Sequence, residues 1–197
     1  MRIKKIICSA LLVSCMVFAM TACGSKKAAK TGGDAKSGNI TVGFSQVGAE
    51  SDWRTANSTS MKETFSEKNG YTLIFDDAQQ KQENQLTAIR NFIQQEVDYI
   101  VLAPVTETGW DTVLQEAQDA GIPVIIADRE IEASDDLYDA WVGTNTTNEG
   151  ITAGNWLAEY LGDADANILV IEGSVGASAT LGRTDGFNQV AGEHDNW

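Results

Sequence analysis

Residues 121–130 read Gly-Ile-Pro-Val-Ile-Ile-Ala-Asp-Arg-Glu, and this order of residues indicates both a fold and a site. The Gly-Ile-Pro turn leads into an apolar, β-branched run that is too short for an ordinary helix and is typical of a strand covered on both faces. That strand ends in Asp128 and Arg129. Ligands of open α/β sheets bind outside the carboxyl ends of the strands, so these two side chains are candidates for holding a polar solute. Taken alone, the pair fits a helix-capping Asp beside a solvated Arg equally well.

Strands and helices alternate along the chain on both sides of this stretch. Alternating or apolar β-rich runs predict further strands at residues 40–45, 71–75, 98–103 and 138–142. A helix is predicted at residues 53–68, where Asn-Gly ends it, and apolar residues at helical spacing predict a second helix at residues 81–95 and a third that Gly121 ends. Connections of about a dozen residues or more require parallel pairing. We therefore predict an α/β fold with a parallel, doubly wound sheet flanked by helices, whose amino-terminal lobe spans residues 40–143.

The pattern starts again after residue 143. A helix is predicted at residues 149–161, a strand at 167–171 and a helix at 179–190. One strand cannot bury both helices, so residues 144–197 are interpreted as the start of a second α/β lobe that the sequence leaves incomplete. On this interpretation the chain is a fragment of a longer protein, or its remaining strands come from elsewhere.

The amino-terminal residues predict export and a lipid anchor. Three basic residues precede a mostly apolar stretch that is too short for an ordinary transmembrane helix, so residues 1–22 are predicted to be a secretory signal. Thr-Ala-Cys at its end resembles a bacterial lipobox, with Met20 where Leu is usual, and Cys23 is then the lipidated first residue of the mature protein. Ordinary cleavage that leaves Cys23 as a free thiol is the alternative. Residues 23–39 lack apolar periodicity and are predicted to be a flexible tether.

Cysteine content and charge limit what the exported part can be. Cys8 and Cys15 lie in the predicted signal and no cysteine follows Cys23, so stability must come from a hydrophobic core and not from disulfides. The chain has 14 Lys and Arg against 28 Asp and Glu, a formal charge of −14. Such an acidic body repels phosphate backbones, which argues against nucleic acid as a partner and leaves membrane attachment to the lipid.

Residue content also excludes most catalytic chemistry. His194 is the single histidine, so neither a His-based triad nor a His or Cys metal cluster can form, and we predict no catalytic residue, metal or cofactor. Residues 173–178, Gly-Ser-Val-Gly-Ala-Ser, lack the third glycine of a dinucleotide fingerprint, and a tight strand-to-helix turn is the favoured interpretation. A glycosidase remains an alternative, because it needs two opposed acids that sequence alone cannot reveal.

Polar and aromatic residues collect at the predicted strand ends, where they suit a sugar. A sugar ring presents an apolar C–H face, which matches an aromatic plate, and a rim of hydroxyls, which matches carboxylate and guanidinium groups. Trp53 could instead be a core residue of its helix, and Arg183 could form a surface salt bridge. The candidate ligand-binding residues are Glu50, Trp53, Arg54, Gln79, Asp128, Arg129 and Arg183.

Four segments, at residues 41–54, 79–85, 103–110 and 173–178, resemble the ribose/galactose class of periplasmic sugar-binding proteins that serve ABC importers. Within that class they are most similar to bacterial galactofuranose-binding proteins. The resemblance implies a type I periplasmic-binding-protein-like fold with an incomplete second lobe. It also implies that Asp128, Arg129 and Arg183 hold sugar hydroxyls.

One departure from the class bears on the ligand. Ribose binders of the class carry Pro-Phe-Phe after the first strand, whereas this chain has Glu-Ser-Asp-Trp-Arg at residues 50–54. The difference argues against ribose and favours a more polar binding mode with one stacking ring. The ligand that the resemblance implies is a galactose-type sugar, as furanose or pyranose.

The expected function is therefore solute capture without catalysis. A lipid-anchored, monomeric binder on the outer face of the cell membrane, or in the periplasm if the anchor is absent, would close about a hinge near residues 143–147. It would deliver a monosaccharide to an ABC permease and its ATPase. The alternatives are an exported glycosidase and a sensor that presents sugar to a signalling receptor. A sugar-responsive repressor would need a DNA-binding helix pair at the amino terminus and no export signal.

Overall fold

The structure is a computed structural model that describes residues 38–197. The predicted signal at residues 1–22, the lipidation site at Cys23 and most of the tether lie outside this range. Within the described range, no helix combines the length and the apolar character that crossing a membrane requires.

Five strands form a single sheet in which every pair is parallel. Their order across the sheet is β2-β1-β3-β4-β5. The predicted parallel, doubly wound α/β fold is thereby confirmed. The strands are β1 Ile40–Gln46, β2 Tyr71–Asp77, β3 Tyr99–Leu102, β4 Val124–Asp128 and β5 Ala140–Gly143.

Three helices connect the strands and two more follow the sheet. They are α1 Asp52–Thr64, α2 Gln82–Gln94, α3 Asp111–Asp119, α4 Thr146–Leu161 and α5 Ser178–Ala191. The first helix ends at Thr64 and not at the predicted residue 68, because residues Glu67–Asn69 form a separate 3-10 turn. Gly70 closes that turn with a φ of 86°, which a glycine adopts without steric cost.

Successive strand residues pack on opposite sides of the sheet, as the alternation of a strand requires. Ile100 and Leu102 face the core that α2 and α3 cover, whereas Val101 faces the core with Met61 and Phe65. Both faces of β3 are therefore buried. This two-sided burial explains why β3 and β4 are apolar runs without alternating polarity.

Helices α4 and α5 pack backbone to backbone through glycines. A Cβ added at Gly150 would overlap the carbonyl oxygen of Arg183, and one added at Gly186 would overlap that of Thr147. A Cβ at Gly154 would come within 2.7 Å of Val190. The two helices thus form a tight pair, and their close spacing depends on having glycine, which has no side chain, at these three positions.

The predicted strand at residues 167–171 is wrong, because these residues form no strand in the structure. Leu169 and Ile171 are 87% and 90% exposed. Their apolar, β-branched character suits a strand, but a strand also needs a neighbouring strand to satisfy its backbone hydrogen bonds. All five strands of residues 38–197 lie before residue 144, so this part of the chain offers no strand beside α4 and α5. The division into lobes at residue 143 remains a prediction.

Candidate functional site

Three of the predicted ligand-binding residues meet in one hydrogen-bonded network. Arg54 is 3% exposed. Its Nε donates to Oε1 of Glu50 at 3.1 Å, and its Nη2 donates to Oδ2 of Asp128 at 2.9 Å. The two carboxylate side chains are 24% and 30% exposed. One guanidinium therefore joins the loop after β1 to the carboxyl end of β4, and we call Arg54, Glu50 and Asp128 the arginine network.

The start of α1 determines where Arg54 lies. Ser51 caps the helix, and its hydroxyl accepts a hydrogen bond from the backbone N–H of Arg54 at 3.1 Å. Gln46, at the end of β1, donates from Nε2 to Asn57 at 2.8 Å and to Ser58 at 3.1 Å. The helix is therefore tied to the strand that precedes it, and its first turn holds Arg54 over the sheet edge.

Trp53 lies beside the network and faces solvent. Its side chain is 56% exposed, so the alternative that it is a core residue of its helix is wrong. The Arg54 guanidinium carbon lies 4.8 Å from the indole centroid, which is within cation–π range. An exposed indole next to charged hydrogen-bonding groups offers both an apolar plate and a polar rim.

Asp128 and Arg129 close β4 with an unusual backbone turn. Asp128 has a φ of 69°, and the Arg129 N–H donates to the carbonyl oxygen of Ala127 at 3.0 Å. No helix begins at Asp128, so the helix-capping alternative is wrong. The Nη1 of Arg129 donates to the carbonyl oxygen of Val105 at 3.2 Å. Asp128 is thus turned toward Arg54, while Arg129 crosses the end of β3.

The arginines influence one another electrostatically. Burial lowers the pKa of Arg129, and the positive charge of Arg54 lowers it further. The carboxylates of Asp128 and Glu50 oppose this shift, and Arg183 adds a smaller repulsion. The site therefore brings together guanidinium groups that are near enough to repel one another, with the carboxylates of Glu50, Asp128 and Glu149 beside them.

The two remaining predicted residues lie farther from the network. Both Nε and Nη2 of Arg183 are 2.8 Å from Oε2 of Glu149, and the Arg183 side chain is 57% exposed. The structure therefore contains the surface salt bridge that was the alternative for Arg183, although its charge still reaches Arg129. Gln79 has an exposed side chain and a φ of 53°. Within residues 38–197 no hydrogen bond joins that side chain to the arginine network.

Sequence reasoning missed two residues that contact this set. Trp141 donates from Nε1 to the carbonyl oxygen of Asp128 at 3.3 Å, and Glu149 receives Arg183. The hydrogen bond from Arg183 lowers the pKa of Glu149, and one from Thr144 lowers it further. An acid in the first turn of a helix is common for electrostatic reasons, so Glu149 gave no distinct signal. The sequence of the four-residue strand β5 gave no indication that Trp141 would contact the site.

A backbone contact joins the first part of the chain to the loop before α5. The N–H of Glu107 donates to the carbonyl oxygen of Gly176 at 2.8 Å. Burial raises the pKa of Glu107, and the charges of Glu132, Glu130 and, more weakly, Asp185 raise it further. The segment after the sheet is thus bonded to the loop after β3, and carboxylates from both parts gather there.

An apolar cavity in the described part of the chain lies away from the network, beside the two helices that follow the sheet. A cavity of about 490 Å³ lies between α4, α5 and residues 168–173. Apolar side chains such as Leu157 and Phe187 line most of it, and Arg183 is the one predicted ligand residue at its border. Sugar hydroxyls need polar partners, so we place the candidate site at the arginine network.

Among residues 38–197 no cluster of His, Cys, Asp or Glu could hold a metal ion.

Comparison with known proteins points to one family. Residues 42–197 match the family model described as periplasmic binding protein domain. The galactofuranose-binding protein YtfQ of Escherichia coli is 46% identical over 152 residues, which cover 77% of this chain and 48% of that protein. The fructose import binding protein FruE of Bifidobacterium longum is 34% identical over 177 residues, which cover 87% and 53%.

Solved structures show the same likeness. The crystal structure of a galactofuranose binding protein superposes with a TM-score of 0.75 at 45% identity, covering 80% of this chain and 53% of that one. The arabinose-transporter binding protein of Shewanella sp. ANA-3, bound to arabinofuranose, gives a TM-score of 0.74 at 47% identity and covers 79% and 51%. The chain spans about half the length of the curated relatives it matches.

Proposed function

The chain belongs to the periplasmic binding protein family, whose members are non-enzymatic solute-binding proteins, and from this we propose that it captures a monosaccharide for an ABC importer. The observation that carries the proposal is the state of Arg54. Arg54 is 3% exposed and its guanidinium binds two carboxylates, yet within the described residues its Nη1 has no hydrogen-bond partner. A buried donor without an acceptor is costly, and a ligand oxygen would satisfy it.

The chemistry of the site suits a neutral sugar. Guanidinium groups of Arg54 and Arg129 can only donate hydrogen bonds, whereas ionised Glu50 and Asp128 can only accept them. A hydroxyl does both, so a ring carrying several hydroxyls matches this mixed set better than an anion or a cation does. Hydrogen bonds to charged groups contribute about 1.5 to 3 kcal/mol each, and the exposed face of Trp53 can cover the C–H face of the ring.

The names of the relatives support a furanose or a galactose-type sugar. One relative is named for galactofuranose, and a solved relative is titled as bound to arabinofuranose. These two proteins are about equally similar to this chain, at 46% and 47% sequence identity. The proposed ligand is accordingly a galactose-type monosaccharide in furanose or pyranose form, and the proposed partners are an ABC permease and its ATPase.

Closure about residues 143–147 is the proposed mechanism of capture. Arg183 and the loop before α5 belong to the segment after that hinge, while Arg129 and Glu107 belong to the segment before it. The bond from Glu107 to Gly176 joins the two segments and supports a closure that encloses the ligand, and the weak repulsion between Arg183 and Arg129 indicates that Arg183 lies on the same side of the molecule. We expect the binder to act as a monomer.

Titration with a panel of pentoses and hexoses tests the proposed function. Binding is followed by calorimetry and by side-chain NMR signals of the arginines, which detect weak as well as tight binding. We expect a galactose-type sugar to perturb the Arg129 signals. We expect Arg129→Ala to weaken that binding roughly tenfold or more, which is the effect of losing one hydrogen bond from a charged group.

Arg90→Ala is the matched control for this experiment. Arg90 also forms an ion pair, with Glu116 at 2.8 Å, but the pair lies on the surface between α2 and α3 and its Arg side chain is 46% exposed. Its loss should leave sugar affinity unchanged. If no sugar in the panel binds, the proposed function is wrong. If a sugar binds without perturbing Arg129, or binds Arg129→Ala as well as Arg90→Ala, the arginine network is not the site.

The proposed attachment to the membrane is a lipid on Cys23, which would hold the binder at the outer face of the cell membrane. Radiolabelled palmitate should be incorporated into the protein in cells, and Cys23→Ser should abolish both the label and sedimentation with membranes. Cys8→Ser and Cys15→Ser are matched controls, because they lie in the predicted signal and should keep the label. A label that survives Cys23→Ser would exclude the anchor.

A further inference from the structure

Trp141 contacts the peptide group that joins Asp128 to Arg129, two of the predicted ligand residues. Its Nε1 donates to the carbonyl oxygen of Asp128 at 3.3 Å. That carbonyl belongs to the peptide between Asp128 and Arg129, so the hydrogen bond restrains the orientation of both residues at once. Strand β5 brings the indole there by pairing in parallel with β4, with Asp128 opposite Gly143.

The turn at Asp128 needs such a restraint. A φ of 69° is uncommon for a residue with a side chain, and the bond from Arg129 N–H to Ala127 makes this a three-residue γ-turn of the strained hand. Strained backbone persists where surrounding contacts hold it in place. Asp128 is only partly buried, so burial alone does not fix its conformation.

Gly143 leaves the space in which this contact forms. A Cβ added at Gly143 would overlap the carbonyl oxygen of Asp128 and would lie 2.6 Å from Nε1 of Trp141. The absence of a side chain there therefore lets the indole N–H reach the carbonyl. Two residues of β5 therefore support the turn at Asp128: Trp141 donates the hydrogen bond, and Gly143 leaves room for it.

We infer that Trp141 is a positioning residue for the ligand site, which acts through the carbonyl oxygen of Asp128 and touches no ligand itself. It holds the γ-turn that directs the Asp128 carboxylate to Arg54 and sends Arg129 toward Val105. The inference rests on the proposed function only where sugar affinity is measured. Its other consequence, the geometry of the arginine network, can be measured without any ligand.

Trp141→Phe separates this role from simple packing. Phenylalanine keeps an aromatic ring against the hydrophobic core that Trp141 contacts and removes the N–H donor. In nitrogen-15 NMR spectra we expect the Arg54 Nε–H to shift and to exchange faster with water. We expect sugar affinity to fall about fivefold, which corresponds to one neutral hydrogen bond. A purely structural role would lower thermal stability and leave the Arg54 signal unchanged.

Two comparisons complete the test. In an Asp128→Ala background, Trp141→Phe should weaken sugar binding less than it does alone, because the carboxylate that it positions is gone. Trp156→Phe is the matched control: Trp156 is 62% exposed and stacks on Tyr160, so the Arg54 signal should stay unchanged.

The outcomes also distinguish this inference from the proposed function. An unchanged Arg54 signal in Trp141→Phe overturns the inference even if sugar binds. Altered Arg54 signals in a protein that binds no sugar support the inference and refute the proposed function. If Trp141→Phe fails to fold, the unmodified protein still decides, because a Trp141 indole N–H that exchanges as fast as that of exposed Trp156 contradicts the inference.

Discussion

Replacing Arg54 by alanine is expected to abolish measurable sugar binding and to lower the free energy of unfolding by about 2 to 3 kcal/mol. Arg54 is 3% exposed, and its guanidinium forms ion pairs with two carboxylates, those of Glu50 and Asp128. Without it the acids lose their counter-charge in a partly dry environment. The cost lies at or below the low end of the range for broken buried ion pairs, because the two carboxylates retain 24% and 30% exposure.

Arg54→Lys is the control that separates charge from geometry. Lysine keeps the positive charge but lacks the planar fork, so it can bond one carboxylate well and cannot hold both. We expect urea denaturation to show that Arg54→Lys recovers most of the lost stability, and calorimetry to show little recovery of sugar affinity. Wild-type stability in Arg54→Ala would mean that the arginine network does not organise the sheet edge.

The strand ends were predictable because they depend on short-range pattern and on a general rule of topology. An apolar run that ends in Asp128 and Arg129 predicts polar groups at the carboxyl edge of a parallel sheet, and the structure contains that edge. The bond from Arg54 to Asp128 was not predictable, because it joins residues 74 positions apart whose approach depends on how the strands order. The bond from Trp141 to the carbonyl oxygen of Asp128 was not predictable for the same reason.

Helix α1 shows how residue type can mislead about burial. Residues Arg54, Asn57, Ser58 and Met61 form its inward face, so a charged residue occupies the buried position and Trp53, its neighbour, remains exposed. Composition favours the opposite arrangement, since tryptophan is usually the more buried of the two. A buried arginine beside an exposed tryptophan is typical of a functional site, because a site can require particular side chains at positions where residue type alone predicts the opposite burial.

The strand predicted at residues 167–171 failed for a different reason. The apolar character of residues 167–171 indicates which residues avoid water, but it does not reveal whether a partner strand exists to complete the hydrogen bonds. In the structure Leu169 and Ile171 are solvent-exposed beside the cavity between α4 and α5. Sequence periodicity reports a preference of the segment, whereas pairing is a property of the whole sheet.

Gly186→Ala is expected to lower the free energy of unfolding by about 2 to 3 kcal/mol, the upper part of the range for overpacked sites. The added Cβ would overlap the carbonyl oxygen of Thr147 and lie 2.9 Å from the backbone nitrogen of Ile151. Both neighbours are backbone atoms, which cannot rotate away, so α5 must move off α4. The higher helix propensity of alanine returns at most about 1 kcal/mol and does not offset this clash. Moving α5 also displaces Arg183 from Glu149.

Gly192→Ala supplies the matched control near the end of the same helix. Its nearest neighbour is the Asn188 carbonyl oxygen at 3.3 Å, so a methyl group fits after a small adjustment, and stability should change by no more than about 0.5 kcal/mol. Urea denaturation followed by far-UV circular dichroism measures both variants. Equal stability of the two would show that α4 and α5 are not held at backbone contact. Arg183 would then have no fixed position from which to act on Arg129, and closure over a ligand would have to rest on other groups.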